Sequence, residues 1–315
     1  MTRMVVATLL FLTGCGSSES SIDNDNQPGP FQIIVLSDTH VRIPGYPDDD
    51  VYDSQGNLDN LSEAVDLINA AYEDVDFVAV TGDLVGNLYS EDPDDYLTGQ
   101  TNPAETFSRM MHVLIPPFYV ALGNHDYQKG FDTDVNEGIS TTDIESIEAV
   151  WRKVLGIDPY YAFSHKGINM IFLNSNRGPL RNETCEGSQV EAFCTGSFDE
   201  QQLTWLEDRL AEPMPAILFM HHPLHTDTAG TGWTFYHSYR IDRDDPFYDI
   251  TEAYKETILA IFVGHGHRWK EDTLHGSIAV FETGSLGDLQ GSADHIAWVE
   301  INPATRELTV SRLDR

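Results

Sequence analysis

Hydrophobic positions along this chain alternate between two periods. Phe31-Gln32-Ile33-Ile34-Val35-Leu36 is a nearly continuous apolar run, which predicts a buried strand. Val75 to Val80, Phe118 to Leu122, Ala216 to Met220 and Ile258 to Val263 have the same character. Between them, apolar residues recur at helical spacing at Leu58, Leu61, Val65, Ile68 and Tyr72. A second helix is expected from Pro103, capped by Asn102, with Phe107, Met110 and Leu114 facing inward. Ile144, Ile147, Trp151 and Val154 predict a third, stopped by Gly156. Tyr160 to Ser164 and Ile168 to Asn174 read as a hairpin through His165-Lys166-Gly167. Ser197-Phe198-Asp199-Glu200 has the form of a capping box, opening a helix through Leu203, Leu206 and Leu210. A short helix is expected from Thr251 to Thr257. Ile278 to Phe281, His295 to Ile301 and Glu307 to Ser311 read as antiparallel strands, the last following an Asn302-Pro303 turn. Alternating strands and helices followed by antiparallel strands predict an α/β fold.

The first thirty residues follow no such pattern. Met1 to Met4 carries one positive charge, and Val5 to Leu12 is apolar but too short to span a membrane. Leu12-Thr13-Gly14-Cys15 then resembles the lipobox of bacterial lipoproteins, in which the cysteine is lipidated and becomes the N-terminus. An ordinary secretory signal or an N-terminal strand is the alternative. Residues 1–14 are therefore expected to be a signal peptide and 15–30 a flexible tether, whose Ser, Asp, Asn, Gly and Pro cannot build a core. The folded domain is expected over 31–315. These features imply an exported protein held by lipid in a bacterial envelope. Gly16 is not the aspartate of an inner-membrane retention signal, so the outer membrane is expected where there are two.

Charge sharpens the picture. The 51 acidic residues against 18 basic give a formal charge of -33, which excludes nucleic-acid binding through a basic face. The surface is heavily hydrated, as suits a salty habitat, and would repel an anionic ligand unless local cations cancel the field. Cys185 and Cys194 bracket a short polar loop and can pair in an oxidising compartment; two free thiols are the alternative.

The chemistry sits where the strands end. Asp38 and His40 follow the first strand, Asp83 the second, and Asn124, His125 and Asp126 the third. His221 and His222 follow the next, and His265 and His267 the one after. One such ending is unremarkable, but five present nitrogen or oxygen donors without thiolate, a set that suits Zn, Mn, Fe or Ni. There are more donors than one ion needs, so two ions sharing a carboxylate is the economical arrangement.

In this order Asp38-x-His40, Gly82-Asp83, Gly123-Asn124-His125-Asp126, His221 and Gly264-His265-Gly266-His267 resemble the calcineurin-like metallophosphoesterase superfamily. The resemblance covers Phe31 to the C-terminus. It implies a four-layer α-β-β-α sandwich with the metal site at the strand C-terminal ends. It implies two divalent or trivalent metal ions, of Fe, Mn or Zn, and a phosphate-ester substrate. Asp38, His40 and His267 would hold one metal, Asn124, His221 and His265 the other, and Asp83 would bridge them. A hydroxide between the metals would attack phosphorus. His125 would protonate the leaving oxygen or contact the phosphoryl group, with Asp126 behind it to orient the ring. Of His221 and His222 only one is expected as a ligand, because successive strand residues face opposite ways, and His221 is preferred. His222, His225, His237 and Arg240 are candidate substrate contacts, the last three in an insert from Leu224 to Phe247 that could cap the site. The acidic loop from Tyr89 to Asn102 reads as solvated. Purple acid phosphatases place a tyrosine ligand three residues after the bridging aspartate, where this chain has Gly86. That points instead to the phosphodiesterases and general phosphatases of the superfamily, with no feature separating monoester from diester substrates. The alternative is an inactive envelope scaffold or binding protein that keeps the fold.

Overall fold

A computed structural model describes residues 29–45, 53–128, 144–180, 195–227, 239–287 and 295–314. Cys15, Cys185, Cys194 and His237 lie outside these residues, so neither the lipid nor the disulfide expectation is addressed by them.

Two sheets carry the fold. The first contains β1 (Phe31–Leu36), β2 (Phe77–Val80), β3 (Phe118–Val120), β10 (His295–Asn302) and β11 (Glu307–Asp314), in the order β11-β10-β1-β2-β3. The second contains β4 (Tyr161–His165), β5 (Ile168–Phe172), β6 (Ala216–Phe219), β7 (Ile258–Val263), β8 (Lys270–Leu274) and β9 (Ile278–Glu282), in the order β4-β5-β6-β7-β9-β8. β1, β2 and β3 run parallel, as do β5, β6, β7 and β9; β10 and β11 in the first sheet and β4 and β8 in the second pair antiparallel with their neighbours.

The side-chain alternation of each strand sorts the core into layers. Ile34, Leu36, Val78 and Val80 pack against α1 (Ser54–Ala71), α2 (Pro103–Met111) and α3 (Ile144–Leu155). Their neighbours Ile33, Val35, Phe77 and Ala79 face the second sheet, against Met170, Phe172, Ile217, Phe219 and Phe262. The far side of that sheet, with Ile171, Leu218 and Ile261, is covered by α4 (Glu200–Leu210) and α5 (Phe247–Ala253). Three apolar clusters between four layers are the expected α-β-β-α sandwich. In β7 the alternation slips at Leu259, where the pairing with β6 shifts register. Leu259 and Ala260 then both face the other sheet.

Between the sheets the aromatic rings form a ladder. Tyr161, Phe172, Phe219, Phe262 and Phe281 are in-register partners on successive strands. Their ring centroids are 5.0, 4.6, 5.5 and 5.2 Å apart, all stacked. β3 is an edge strand, and the Tyr161 hydroxyl covers it: it accepts from the Val120 N–H and donates to the Val120 carbonyl, both at 2.9 Å.

The local differences from expectation have physical causes. α1 begins at Ser54, because the Asp53 carboxylate caps it by accepting from the Gly56 N–H. α4 is capped by Asp199, not Ser197, whose hydroxyl instead donates to Asp245. The short helix lies at 247–253 rather than 251–257, since Asp245 accepts the Phe247 N–H and so starts it earlier. β8 was not expected: Lys-Glu-Asp-Thr-Leu carries too little apolar signal, and pairing with β9 makes it a strand. In the acidic loop, Tyr96 is buried in the first core cluster.

Candidate metal centre

Every polar strand ending named above lies at the C-terminal end of a strand, three in the first sheet and two in the second. The loops are stitched together by their backbones. Asp38 N–H donates to the Gly82 carbonyl, His40 N–H to that of Asp83, and Gly264 N–H to that of His221. Asp38, His40, Asp83, His265 and His267 all adopt positive φ, between 42 and 66°. That conformation disfavours L-residues by about 1–2 kcal/mol apiece. Of nine such non-glycine residues among those described, five are these donors, so the strain is concentrated where side chains must converge. Gly82 answers a close approach: a Cβ there would lie 2.6 Å from His221 Nδ1 and 2.7 Å from the Gly123 nitrogen.

Two donor groups result. Asp38, His40, Asp83 and His267 bring one ligand atom each within 4.8 Å of one another, and Asp83, His221 and His265 do the same. Asp83 belongs to both. Asn124 joins the second, its Oδ1 3.0 Å from His221 Nε2. Asp38, Asp83, Asn124 and His221 are fully buried, whereas the His267 side chain is about a third exposed and opens the site to solvent.

The imidazole donor atoms face one another, while the Asp38 carboxylate also accepts the Ser37 hydroxyl and the His265 N–H. His40 Nε2 and His267 Nε2 are 3.1 Å apart, and so are His221 Nε2 and His265 Nδ1. His221 Nδ1 donates to the Thr81 carbonyl at 2.9 Å, which leaves Nε2 as the inward lone pair of the neutral ring. Asp83 Oδ1 accepts the His125 N–H at 2.8 Å, but its buried Oδ2 has no hydrogen-bond partner. Buried lone pairs converging without protons fit metal cations, so the residues present suit two metal ions.

Without a cation the charges adjust among themselves. Burial disfavours the His221 imidazolium, but Asp83 and Asp38 carry it up to about 9. Burial alone would raise Asp83, yet His221, His125 and His40 hold it well below the usual carboxylate range. His40 and His265 are pushed well below 6.5, first by burial and then by neighbouring imidazoles.

His125 and Asp126 divide differently than expected. Asp126 does not orient the His125 ring. Its Oδ1 accepts the Val85 N–H at 3.1 Å and its Oδ2 the Gly123 N–H at 2.7 Å, so both oxygens clamp backbone. Burial, then the Asp83 charge, pushes Asp126 well above the usual range. The His125 ring is fixed instead by the Gly86 carbonyl, which accepts from Nδ1 at 2.8 Å, and it stands edge-on to His40 at 4.7 Å. No motif signals a backbone carbonyl, which is why the sequence missed it.

The candidate substrate contacts scatter. His222 is buried beside the site, its Nδ1 2.6 Å from Ser175 Oγ and its ring 4.9 Å from that of His265. His225 is in neither donor group; its backbone N–H donates to the Tyr248 hydroxyl. Arg240 is buried and donates to the Leu224 carbonyl at 3.2 Å.

Residues 31–269 match the model of the calcineurin-like phosphoesterase family, and the chain belongs to that family of metal-dependent phosphoester hydrolases. It is 25% identical over 258 residues to an Arcobacter nitrofigilis protein named as a probable glycerophosphodiester phosphodiesterase, covering 80% of this chain and 77% of that one. It is 26% identical over 247 residues to a Rhodopseudomonas palustris protein named as a probable cyclic nucleotide phosphodiesterase, covering 75% and 72%. Among solved structures, the fold is shared with a dimetal phosphatase from Danio rerio: TM-score 0.53, 14% identity, 90% of this chain and 99% of that one. It is also shared with a purple acid phosphatase from yellow lupin: TM-score 0.57, 12% identity, 91% of this chain and 52% of that one.

Proposed function

We propose that the protein hydrolyses small phosphate esters, phosphodiesters foremost, using two metal ions, and does so from a lipid anchor at Cys15 in a bacterial envelope. The observation that carries the hydrolytic reading is Asp83: fully buried, common to both donor groups, with Oδ2 facing the Nε2 atoms of both His221 and His40. The names of the two sequence relatives support diesters as substrates.

Asp38, His40, His267 and Asp83 would hold one ion, and Asp83, Asn124, His221 and His265 the other. Such ions, when bound, supply Lewis acidity and neutralise charge on the phosphoryl oxygens. The chain does the rest. The positive-φ turns hold the donors before substrate arrives, so little reorganisation remains. The opening at His267 admits the ester. A water oxygen bonds to phosphorus as the ester P–O bond breaks, and His125 Nε2 in its imidazolium form gives a proton to the departing oxygen. The proton lost by the water returns the ring to that form through solvent. His222, held by Ser175, packs on His265 and positions it.

The test is turnover of bis-nitrophenyl and mononitrophenyl phosphate by purified protein loaded with Mn²⁺ or Zn²⁺, with metal content measured. Diester turnover and about two metals per chain are expected. A metal content near zero would support the scaffold alternative, and inactivity across mono- and diesters with several metals overturns the hydrolase. For the anchor, detergent-phase partitioning that persists in Cys15→Ser would sink the lipid assignment. Among the described residues no helix is long and apolar enough to cross a membrane.

A further inference from the structure

Gly86 lies three residues beyond Asp83, and its carbonyl accepts the His125 Nδ1 proton at 2.8 Å. Its N–H donates to the Val41 carbonyl at 3.1 Å, so the peptide is pinned on its other side. Gly86 is not among the glycines with positive φ, so its backbone does not require glycine. Space does. A Cβ at this position would lie 2.4 Å from both Cζ and Nε of Arg42 and 2.8 Å from its Cγ. Arg42 is itself only 5% exposed and follows the metal-site turn by two residues, so its guanidinium has little room to withdraw.

We propose that Gly86, held under the Arg42 guanidinium, is the positioning residue for His125: its carbonyl fixes Nδ1–H and leaves Nε2 to carry the transferable proton. The inference rests on His125 as the proton donor of the hydrolysis proposed above. In that step the P–O bond to the leaving group breaks, its electron pair stays on oxygen, and the His125 Nε2 proton moves to that oxygen. A side chain at position 86 must push Arg42 away or rotate the peptide, and rotation releases the ring.

The test is Gly86→Ala, with leaving groups graded from nitrophenol to a simple alkanol. Nitrophenolate departs without a proton, whereas alkoxide needs one. Turnover of nitrophenyl esters should therefore stay within about threefold, and that of alkyl esters should fall roughly 10²-fold, at unchanged metal content. The ¹⁵N signals of the His125 ring should move from the Nδ1–H tautomer toward a mixture. In an Arg42→Ala background the same substitution should have little further effect, because the guanidinium it meets is gone. Arg42→Ala alone frees the peptide without a clash, so an intermediate leaving-group dependence and ring shift are expected even where Gly86→Ala does not fold. Equal losses across leaving groups, or an unmoved His125 tautomer, overturn the proposal. A wild-type protein inactive on every ester instead overturns the hydrolase reading, and leaves the ring signals to decide the contact.

Discussion

His221 Nε2 stands 3.2 Å from Asp83 Oδ2, while Nδ1 of the same ring is tied to the Thr81 carbonyl. The pair joins the two sheets, since Asp83 follows β2 and His221 follows β6. Asp83→Asn keeps an oxygen for the His125 N–H but removes the charge both donor groups share. The expected result is a fold that persists, metal content below that of wild type, and kcat/KM reduced by at least about 10²-fold. Elemental analysis and turnover at saturating metal check this; wild-type metal content with wild-type turnover would remove Asp83 from the centre.

The same ring sets a pH dependence for metal-free protein. Burial opposes the His221 charge, but Asp83 and Asp38 raise its pKa to about 9, against 6.5 unfolded. The folded chain thus keeps a proton that the unfolded chain releases. This contribution is full below 6.5 and is lost as pH rises through 9. His40 and His265 act in the opposite sense. Burial lowers both, so below 6.5 the unfolded chain takes up protons that the folded chain refuses. The stability contributed by these three rings together should peak near pH 6.5, the ordinary histidine value from which all three depart. A cation at His221 Nε2 replaces the proton, so saturating metal should remove the alkaline decline. Urea midpoints measured across this range with and without metal check it; an identical alkaline slope in both would contradict it.

Much of this centre was legible because parallel strands put function at predictable points. A buried apolar run ends, and the next polar residue stands at the sheet edge. Hence Asp38, Asp83, Asn124, His221 and His265 stand out in the sequence, and period-2 alternation allows only one of His221 and His222 to face the centre. What escaped notice lacked a side-chain signature. Gly86 acts through its carbonyl, and Asp126 binds backbone N–H groups whose approach depends on tertiary packing. Ser175 meets His222 across 47 residues of sequence. β8 was invisible for a related reason: its pattern is polar, and only its partner β9 makes it a strand.

Asp126 illustrates the difference between touching substrate and holding a loop. Asp126→Ala would leave the buried Val85 and Gly123 N–H groups without their acceptor. Each such orphan costs about 1–3 kcal/mol. Asp126→Asn keeps one acceptor but aims an NH₂ at the other N–H, so its loss should be intermediate. In both, kcat should fall with stability because Asn124 and His125 ride on the same turn. Chemical denaturation alongside kinetics reads this. A stable Asp126→Ala with turnover alone impaired would return Asp126 to a direct chemical role.

Two rungs of the aromatic ladder, Phe219 and Phe262, come just before donor-bearing turns of the centre, and that position gives them a measurable function. Phe219 is fully buried, stacks on Phe172 and Phe262, and ends β6 two residues before His221. Phe262 holds the same place before Gly264 and His265. Phe219→Ala opens a cavity between the sheets and should cost about 3–5 kcal/mol. Phe219→Leu keeps most of the volume but loses two stacked pairs, each worth about 0.5–1.5 kcal/mol. If the ladder sets the spacing of β6 and β7, the Leu variant should bind metal more weakly. It should then recover wild-type kcat once metal is saturating, because His221 and His265 can still converge. Competition with a chromogenic chelator, followed by turnover at saturating metal, separates the two effects. Unchanged metal affinity in a measurably destabilised Leu variant would mean that the rings support the fold but not the spacing of the donors.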